Sequence, residues 1–347
     1  MTSPAPASRR WWQTALAILI SAAFLYWALK GISFSEVMAE VKKVKVLPLV
    51  ACVLIATSTF VLRIFRWRIL LRADDGSPLP STALWHAIAI GFMANNVLPF
   101  RAGEVLRSIA ITRLTRTRMT SALSSIAAER LFDGVALVLI LTAGLLLSGL
   151  PADAAVKGVK VSHIALIAGI TFVSALVVAG LVVAFPTPAE RLIQRVVPFP
   201  KLADRLVGMI EGIVHGLSVV KSPARILAVL AWSLVIWLVN VSSFYVGFQA
   251  FGIPLNFAGA MLMQGILAFA ITVPTAPGFV GVFEGAIKAT LVLYGIPDSV
   301  AVTYALVYHA TTFIPITLLG AWSLMTTGLG LKNLQREATP AKPLPGP

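Results

Sequence analysis

Long apolar runs separated by short polar connections are the main feature of the sequence. Six runs are long enough to cross a bilayer as helices, since a transmembrane helix needs about 20 predominantly apolar residues. They cover residues 11–29, 46–62, 122–147, 161–185, 226–250 and 300–326. The pattern predicts an all-α polytopic membrane protein with six spanning helices.

Two further apolar stretches, residues 83–93 and 258–271, end in backbone-breaking residues. The breaks contain Asn95, Asn96, Pro99 and Gly103 in the first stretch and Pro274, Pro277, Gly278 and Gly281 in the second. Proline removes a backbone donor, and irregular backbone at membrane depth is tolerated only where protein or a water-filled cavity surrounds it. Each stretch therefore predicts a re-entrant helical hairpin, which enters the membrane, turns and leaves on the side it entered.

The spans and hairpins divide into two halves of the same order (span, span, hairpin, span), at residues 11–150 and 160–328. Three crossings per half is an odd number, so the second half has to run upside down relative to the first. Interrupted helices at matching places in two halves are the best sequence indicator of a midplane binding site in a transporter. We expect one integral membrane domain at 11–328, a cytoplasmic N-terminus at 1–10 and a disordered cytoplasmic tail at 329–347.

Composition and charge agree with this class. Of the 347 residues, 58% are hydrophobic and 12% are charged, and the mean hydropathy is +0.89. The net charge of +14 does not indicate a nucleic acid partner, because the basic residues are spread over the connections between apolar runs. In the predicted topology most of them fall on one side, which the positive-inside rule assigns to the cytoplasm. We expect a multi-pass protein of the bacterial inner membrane with both termini cytoplasmic.

Trp67, just after the second predicted span, is surrounded by four arginines. These are Arg63, Arg66, Arg68 and Arg72. We interpret them as topology signals that also attract anionic headgroups, with substrate binding as the alternative. Cys52 lies in an apolar run and is predicted to be a buried, unreactive thiol. The sequence has no zinc-binding, Walker A or Rossmann pattern, so neither a metal nor a cofactor is predicted.

The third predicted span carries Glu129, Arg130 and Asp133. At helical spacing the three residues share one face. An ionised side chain at a helix centre costs about 2.5–3.5 kcal/mol on insertion scales, so three of them facing lipid would cancel most of the favourable apolar contribution. They are expected to face the interior of the bundle. The alternative is that they lie shallow, at the cytoplasmic surface.

The first hairpin is followed by Arg101, Glu104 and Arg107. The planar guanidinium groups of Arg101 and Arg107 suit a phosphate, which they can bind with two parallel hydrogen bonds. Glu104 would hold one of these arginines in place or pair with Arg130. The alternative for Arg107 is that it marks the cytoplasmic end of the hairpin.

The second hairpin is followed by one acid, Glu284, and one turn later by Lys288. An ionisable residue within a membrane segment is a functional candidate by default. Lys288 is the expected partner of Glu284, and the pair alone would account for both residues. His309 in the last predicted span is expected to be a hydrogen-bonded packing residue, with a proton relay as the alternative.

Three motifs resemble the signature of the lysylphosphatidylglycerol synthase transmembrane (flippase-like) family. They are Asn96-x-Leu98-Pro99-x-Arg101-x-Gly103-Glu104-x-x-Arg107, Glu129-Arg130-x-x-Asp133 and Pro277-Gly278-x-x-Gly281-x-x-Glu284. The best understood members of that family fuse this membrane domain, implicated in moving a modified lipid to the outer leaflet, to a cytosolic aminoacyl-transfer domain. The resemblance covers residues 10–330 and implies a stand-alone flippase-like domain without the transferase.

The hypothesis is a lipid flippase-like transporter, not an enzyme, for a lipid with a polar or phosphate headgroup. Its candidate substrate-binding residues are Arg101, Glu104, Arg107, Glu129, Arg130, Asp133, Glu284 and Lys288. The expected partners are membrane lipids and a lipid-modifying enzyme. An alternative is a non-transporting scaffold for a lipid-modifying or envelope-biogenesis enzyme, which would act through residues 186–223. A third, an intramembrane enzyme, is disfavoured because the sequence shows no catalytic metal cluster, nucleophile–base pair or donor-nucleotide motif.

Overall fold

The computed structural model describes residues 11–98, 102–150, 155–156, 159–160, 170, 174, 185–200, 203–204, 207, 222–272, 276–330 and 334. Within these residues the fold is helical, apart from one short strand pair. The helices are α1 (Trp11–Leu29), α2 (Phe34–Val41), α3 (Val46–Leu70), α4 (Ser81–Val97), α5 (Gly103–Thr115), α6 (Met119–Leu147), α7 (Pro186–Val196), α8 (Pro223–Phe251), α9 (Phe257–Ala270), α10 (Val282–Val292) and α11 (Asp298–Thr327), with a 3₁₀ turn at Pro277–Phe279. Strands β1 (Ala155–Val156) and β2 (Val159–Lys160) pair antiparallel.

Four of the helices, α3, α6, α8 and α11, are long and apolar enough to cross a membrane. The C-terminal part of α1, Ile18–Leu29, meets α2 at a bend of 74°, and these two helices qualify as a span only together. Helix α9 is apolar but has only 14 residues. These helices confirm a helical membrane protein. The predicted span at 161–185 lies outside the described residues, except for single positions.

The predicted end of the second span, at residue 62, is wrong. Helix α3 continues to Leu70, because residues 49–75 contain neither proline nor glycine and positive charge alone does not end a helix. The extra turns carry Arg63 and Arg66 into the bundle, where 5% and 0% of their surfaces are exposed. The interpretation of these two arginines as surface topology signals is therefore also wrong.

The central contact of the bundle is between α3 and α8, which run antiparallel. Ser243 donates a hydrogen bond to the carbonyl oxygen of Cys52 at 2.9 Å, and further along the pair Arg66 donates to Ser233 at 2.8 Å. Two further helix contacts correspond to each other in the two halves: α4 packs on α11, and α9 packs on α6. Each short helix that precedes a break thus lies against the last long helix of the other half.

The hydrogen bonds also define two ends of the bundle. Helix α3 ends beside the start of α8, so residues 71–80 and Ser222 share one end, called the first end. At the opposite, second end the amide of Lys45 donates to the carbonyl oxygen of Ala250 at 2.9 Å. The connections that precede α4 and α9 therefore lie at opposite ends.

Two clusters of buried apolar side chains form the interior. One surrounds Trp67 and is built mainly from α3, α4, α5 and α6. The other surrounds Tyr304 and is built mainly from α8, α9, α10 and α11. Cys52 belongs to the second cluster and is a buried free thiol, as predicted. Each half of the chain therefore has a core of its own, joined through α3 and α8.

A capping box closes the start of α2. The amide of Glu36 donates to the Ser33 hydroxyl at 3.3 Å, and the amide of Ser33 donates to the Glu36 carboxylate at 3.0 Å. This exchange satisfies two backbone donors that a helix start leaves free. The predicted tail at 329–347 lies outside the described residues, except for single positions.

Candidate functional site

A cluster of charged side chains lies inside the bundle where α3, α5, α6 and α8 meet. Arg66 is at its centre and forms ion pairs with both Glu129 and Asp133. It also donates to the hydroxyl of Ser233 at 2.8 Å. Of the two carboxylates, Glu129 is fully buried and Asp133 is 3% exposed. The interior position predicted for Glu129 and Asp133 is confirmed, whereas the same prediction is wrong for Arg130, whose side chain is 43% exposed.

Arg107 contacts one of these carboxylates, Glu129, from α5. Its Nη1 lies 2.8 Å from Oε2 of Glu129, although the angle is outside hydrogen-bond geometry and leaves that oxygen without a donor. The guanidinium group stacks over the Trp67 ring at 3.6 Å, and Trp67 Nε1 in turn donates to the Ser125 hydroxyl at 2.9 Å. Arg107 is only 4% exposed, so its alternative role as a marker of the hairpin's end is wrong.

Arg63 is the third buried arginine of the cluster. Its guanidinium carbon lies 4.9 Å from the Phe92 ring centre and 5.8 Å from that of Trp237. Within the described part of the chain no carboxylate lies within ion-pair distance of Arg63. Trp237 donates from Nε1 to Asp133 at 3.0 Å, so the ring that contacts Arg63 also fixes one of the acids.

The buried part of the cluster has more positive than negative groups. Three buried arginines, Arg63, Arg66 and Arg107, face two buried carboxylates. Among the described residues, Nε of Arg63 and both Nε and Nη2 of Arg107 are buried N–H donors that find no acceptor. Leaving a buried donor unpaired costs about 1–3 kcal/mol, and more when the group is charged. The excess positive charge and the free donors both favour an anion at this place.

The rim of the cluster is formed by Arg130 and Glu104, which are 43% and 35% exposed in their side chains. Arg130 lies 3.3 Å from Asp133, and its Nη1 is 4.0 Å from Glu104. The predicted pairing of Glu104 with Arg130 is thus present at the limit of ion-pair distance. Arg101, the remaining member of the predicted phosphate clamp, lies outside the described residues.

Sequence reasoning missed the contribution of α3 to this cluster. Arg63, Arg66 and Trp67 are spaced three and four residues apart, which places them on one helix face. The two buried acids on α6 need positively charged partners. The absence of proline and glycine between residues 49 and 70 was the signal that α3 continues and supplies these partners. Ser233 and Trp237, four residues apart on α8, gave no such signal, because serine and tryptophan are ordinary members of an apolar helix.

A second buried group of charges lies between α10, α11 and α1. His309 Nδ1 is 2.6 Å from Glu284 Oε1, and the Gly281 amide donates to Glu284 Oε2 at 2.6 Å. The expected Glu284–Lys288 pair is wrong. Lys288 Nζ instead donates to the carbonyl oxygen of Ala28 at 3.0 Å and lies 2.7 Å from Asp298. Both side chains thus contact α11, Glu284 through His309 and Lys288 through Asp298 at the start of that helix.

A cleft of about 290 Å³ opens beside this second group. Glu284 and His309 line it together with Val280, Leu306, Ala310, Phe313 and Ile314. Apart from the two ionisable side chains its walls are apolar. Within the described residues, no group of three or more His, Cys, Asp or Glu side chains is arranged to hold a metal ion.

The two breaks bring backbone segments into close contact. Asn95 and Asn96, predicted to lie in the first break, belong instead to the last turn of α4. Asn95 Oδ1 accepts a hydrogen bond from the Gly103 amide at 2.9 Å, which satisfies a backbone donor at the start of α5. Asn96 instead donates to Thr317 on α11 at 2.9 Å. A side chain on Gly103 would overlap the carbonyl oxygen of Gly91, so α4 and α5 approach each other at their glycines.

In the second break Gly278 and Gly281 have φ angles of +73° and +88°. A side chain on Gly281 would overlap the carbonyl oxygen of Ser21 in α1. Pro277 begins the 3₁₀ turn, whereas Pro99 and Pro274 lie outside the described residues.

Comparison with known proteins identifies the chain at the level of its family. The lysylphosphatidylglycerol synthase TM region family matches residues 14–320. The chain belongs to this family. The match includes both charged groups and both breaks, and it agrees with the resemblance found in the three sequence motifs.

Two relatives of the chain differ in how much of their own length it covers. A "UPF0104 membrane protein" of Methanothermobacter thermautotrophicus is 27% identical over 326 residues, which cover 90% of this chain and 92% of the relative. "Glycosyltransferase AglD" of Haloferax volcanii is 26% identical over 320 residues, which cover 83% of this chain but only 50% of AglD. The chain therefore spans about half the length of the glycosyltransferase that it matches.

Proposed function

We propose that the protein is a flippase-like transporter that moves a lipid with a phosphate or other anionic headgroup between the two leaflets of a membrane. The observation that carries the proposal is the excess of buried arginines over buried carboxylates, with free donors on Arg63 and Arg107. Guanidinium groups bind phosphate with parallel, charge-assisted hydrogen bonds. A phosphate bound at this cluster would satisfy donors that the described residues leave unpaired.

The headgroup enters from the rim. Arg130 and Glu104 are partly exposed there, and Arg130 contacts Asp133 of the buried cluster. The acyl chains stay in the lipid while the headgroup passes through the polar cluster, so the large cost of moving a charge through hydrocarbon is avoided. Arg101, which follows the first break, is a further candidate ligand of the phosphate.

The transport step follows the pattern of inverted-repeat transporters. In this proposal α4–α5 and α9–α10 are re-entrant hairpins within an arrangement of six spans, and one half rocks against the other. The length of α4 supports a hairpin that does not cross, because 17 residues extend about 26 Å at 1.5 Å per residue, less than the roughly 30 Å hydrocarbon core. We place both termini in the cytoplasm and the protein in a bacterial inner membrane.

Arg63 offers the sharpest test, because its replacement leaves no carboxylate unpaired. In proteoliposomes that contain an anionic glycerophospholipid tagged on one acyl chain, Arg63→Gln is expected to slow lipid exchange at least tenfold. A hydrogen bond to a charged group contributes about 1.5–3 kcal/mol, and 1.4 kcal/mol corresponds to a factor of ten. The measurement is the rate at which the tag becomes inaccessible to a quencher outside the vesicles.

Arg118→Gln is the matched control. Arg118 is 76% exposed and pairs with Asp74 at the surface, so its loss removes the same charge far from the cluster. A tagged neutral diacylglycerol is expected to exchange equally fast with all variants. Equal exchange of the anionic lipid by wild type, Arg63→Gln and protein-free vesicles would refute the transport proposal.

A membrane partner for a lipid-modifying enzyme is a second candidate. It is favoured by the match to half of a glycosyltransferase, in which the corresponding region is joined to a further part of the chain. In this case activity depends on residues 186–223 and not on Arg63. Exchange of that loop for an unrelated sequence would abolish the function of the enzyme in cells, whereas Arg63→Gln would leave it intact.

A further inference from the structure

The carboxylate of Glu284 and the ring of His309, called here the acid–histidine pair, leave one ring nitrogen free. Both carboxylate oxygens are used, one by His309 Nδ1 and the other by the Gly281 amide, each at 2.6 Å. His309 Nε2 makes no hydrogen bond to any described residue. The ring lies against the Phe283 ring at 4.1 Å and meets Phe313 edge-on at 5.5 Å, so its orientation is fixed by packing as well as by the carboxylate.

The free nitrogen belongs to a side chain that lines the 290 Å³ cleft. Glu284 is 3% exposed and His309 is 8% exposed, whereas Val280 and Ile314 on the cleft's walls are 40% and 53% exposed. The acid–histidine pair is therefore at the inner end of the cleft, and the mouth opens on the outer surface of the bundle. A cleft of this volume has room for several water molecules.

No other charge on α10 or α11 neutralises the pair. Lys288 is held by the Ala28 carbonyl oxygen and by Asp298, which uses both of these charges elsewhere. Tyr308 donates its hydroxyl proton to Ser243 at 3.0 Å, and Tyr304 donates to the Phe244 carbonyl oxygen at 3.1 Å. The two tyrosines thus point to α8 and not into the cleft.

Helix α2, which packs on α11, carries Glu36 and Glu40; Glu36 accepts a hydrogen bond from the Ser33 amide, and Glu40 pairs with Lys43. The described residues of the other neighbouring helices add no charge to the pair. Between Ile18 and Leu29 the titratable side chain of α1 is Tyr26, which is 68% exposed. On α3 the facing group is Cys52, which contacts Ser243. Helix α9 has no titratable side chain, and on α4 the titratable residue is His86, ten residues before Asn96 and against Trp322. The charge of the acid–histidine pair is therefore decided by His309 alone.

We propose that the acid–histidine pair is a proton-binding site open to the cleft, and that proton occupancy sets the rate of lipid movement. With Nδ1–H donated to Glu284, the lone pair of Nε2 accepts a proton from cleft water and the pair changes from a net charge of −1 to neutral. Release of the same proton to water reverses the step. Histidine is the side chain whose ordinary charge change falls between about pH 5 and pH 8, which sets the pH range of the tests below.

The corresponding place in the first half makes the contrast clear. There Arg107, on the helix after the break, pairs with Glu129 on the following long helix; in the second half Glu284 pairs with His309 on the equivalent helices. Arginine stays protonated at every physiological pH, so the net charge of the first pair does not change with pH. The net charge of the second pair changes when His309 binds a proton. The second pair also holds the Gly281 amide, which connects its charge to the backbone break before α10.

The first experiment measures proton binding directly on the full chain. In purified protein with ¹⁵N-labelled histidine, the imidazole signal that disappears in His309→Gln is expected to report uptake of one proton between pH 5 and pH 8. An imidazole signal of His309 that stays unchanged over this range would overturn the proposal. This measurement requires no lipid transport, so its result is independent of the proposed function.

The second experiment tests the effect on transport, which rests on the proposed function. Exchange of the tagged anionic lipid is expected to change at least fivefold between pH 5.5 and pH 8 in wild type and to be independent of pH in His309→Gln. His86→Gln, which removes a histidine outside the pair, is the control and keeps the wild-type pH profile. The same pH profile in His309→Gln as in wild type would overturn the coupling. Absence of exchange in wild type at every pH would refute the proposed function and the coupling, while the proton titration would still decide the binding site.

Discussion

Arg66 is fully buried, and its guanidinium group contacts Glu129, Asp133 and the Ser233 hydroxyl. A buried ion pair is a weak source of net stability, because desolvation of both charges opposes their attraction. Removal of one partner is nevertheless costly, since the remaining charge is left buried without compensation. Each charged side chain of the cluster therefore compensates the charge of its partners, and the loss of any one of them destabilises the others.

Glu129 is the residue at which this dependence is largest. Glu129→Gln removes the carboxylate that contacts both Arg66 and Arg107. We expect the free energy of unfolding to fall by about 3 kcal/mol or more, the usual cost of breaking a buried pair. The measurement is denaturation by sodium dodecyl sulfate in mixed micelles. Asp74→Asn, at the exposed pair with Arg118, is the control and is expected to show no measurable change; equal losses in the two variants would contradict the structure.

At the scale of single residues the sequence predicted the acids better than their partners. Glu129 and Asp133 stand out because carboxylates in an apolar helix have to be compensated. Arg66 was misassigned, since an arginine after an apolar run is most often a cytoplasmic flank, and only the length of α3 shows otherwise. The partner of Glu284 was also wrong, because sequence spacing favours a neighbour on the same helix over His309, which is 25 residues away.

At the scale of the elements, the break before α10 is held by its contact with α1. Gly281 has a φ of +88° and lies directly against the carbonyl oxygen of Ser21. The Ser21 hydroxyl also accepts a hydrogen bond from the Ala276 amide at 2.8 Å. Glycine is required here for two separate reasons, the backbone conformation and the close approach of the two helices.

A pair of glycine variants separates these two reasons. Gly295 also has a positive φ, +74°, but a side chain there would meet nothing within 4 Å. Gly295→Ala is expected to lose only the conformational term, about 1–2 kcal/mol. Gly281→Ala is expected to lose clearly more, because α1 has to move. Both losses are measured by the same mixed-micelle denaturation, and a Gly281→Ala variant as stable as Gly295→Ala would rule out the close contact with α1.

A helix boundary can be predicted from the sequence when the residues that cause it lie at the boundary itself. Proline and glycine residues follow closely after the ends of α4 and α9, and the Ser33 capping box marks the start of α2. The end of α3 was missed because it depends on the burial of Arg63 and Arg66 against α6, α8 and their neighbours. Contacts between helices, such as α4 on α11, leave no pattern that a single sequence reveals.

At the scale of the whole molecule, the helix pairings of one half have counterparts in the other. The contact of α4 with α11 corresponds to that of α9 with α6, and the central helices α3 and α8 run antiparallel. An antiparallel central pair is what a two-fold axis in the membrane plane produces. The repeated break motifs predicted two halves, and these pairings support the inverted relation between them.

Cysteine labelling tests this arrangement, because the sequence has one cysteine, Cys52, and its side chain is buried. Ser77→Cys lies at the first end, before α4, and Pro254→Cys lies at the second end, before α9. If the halves are inverted, a membrane-impermeant maleimide added to intact cells labels only Pro254→Cys, and Ser77→Cys reacts only after permeabilisation. Val97→Cys, at the end of α4, is expected to resist labelling from outside, because a re-entrant hairpin turns before the far surface. Labelling of Val97→Cys together with Pro254→Cys would mean that the first hairpin crosses the membrane completely, and labelling of Ser77→Cys and Pro254→Cys from the same side would exclude the inverted arrangement.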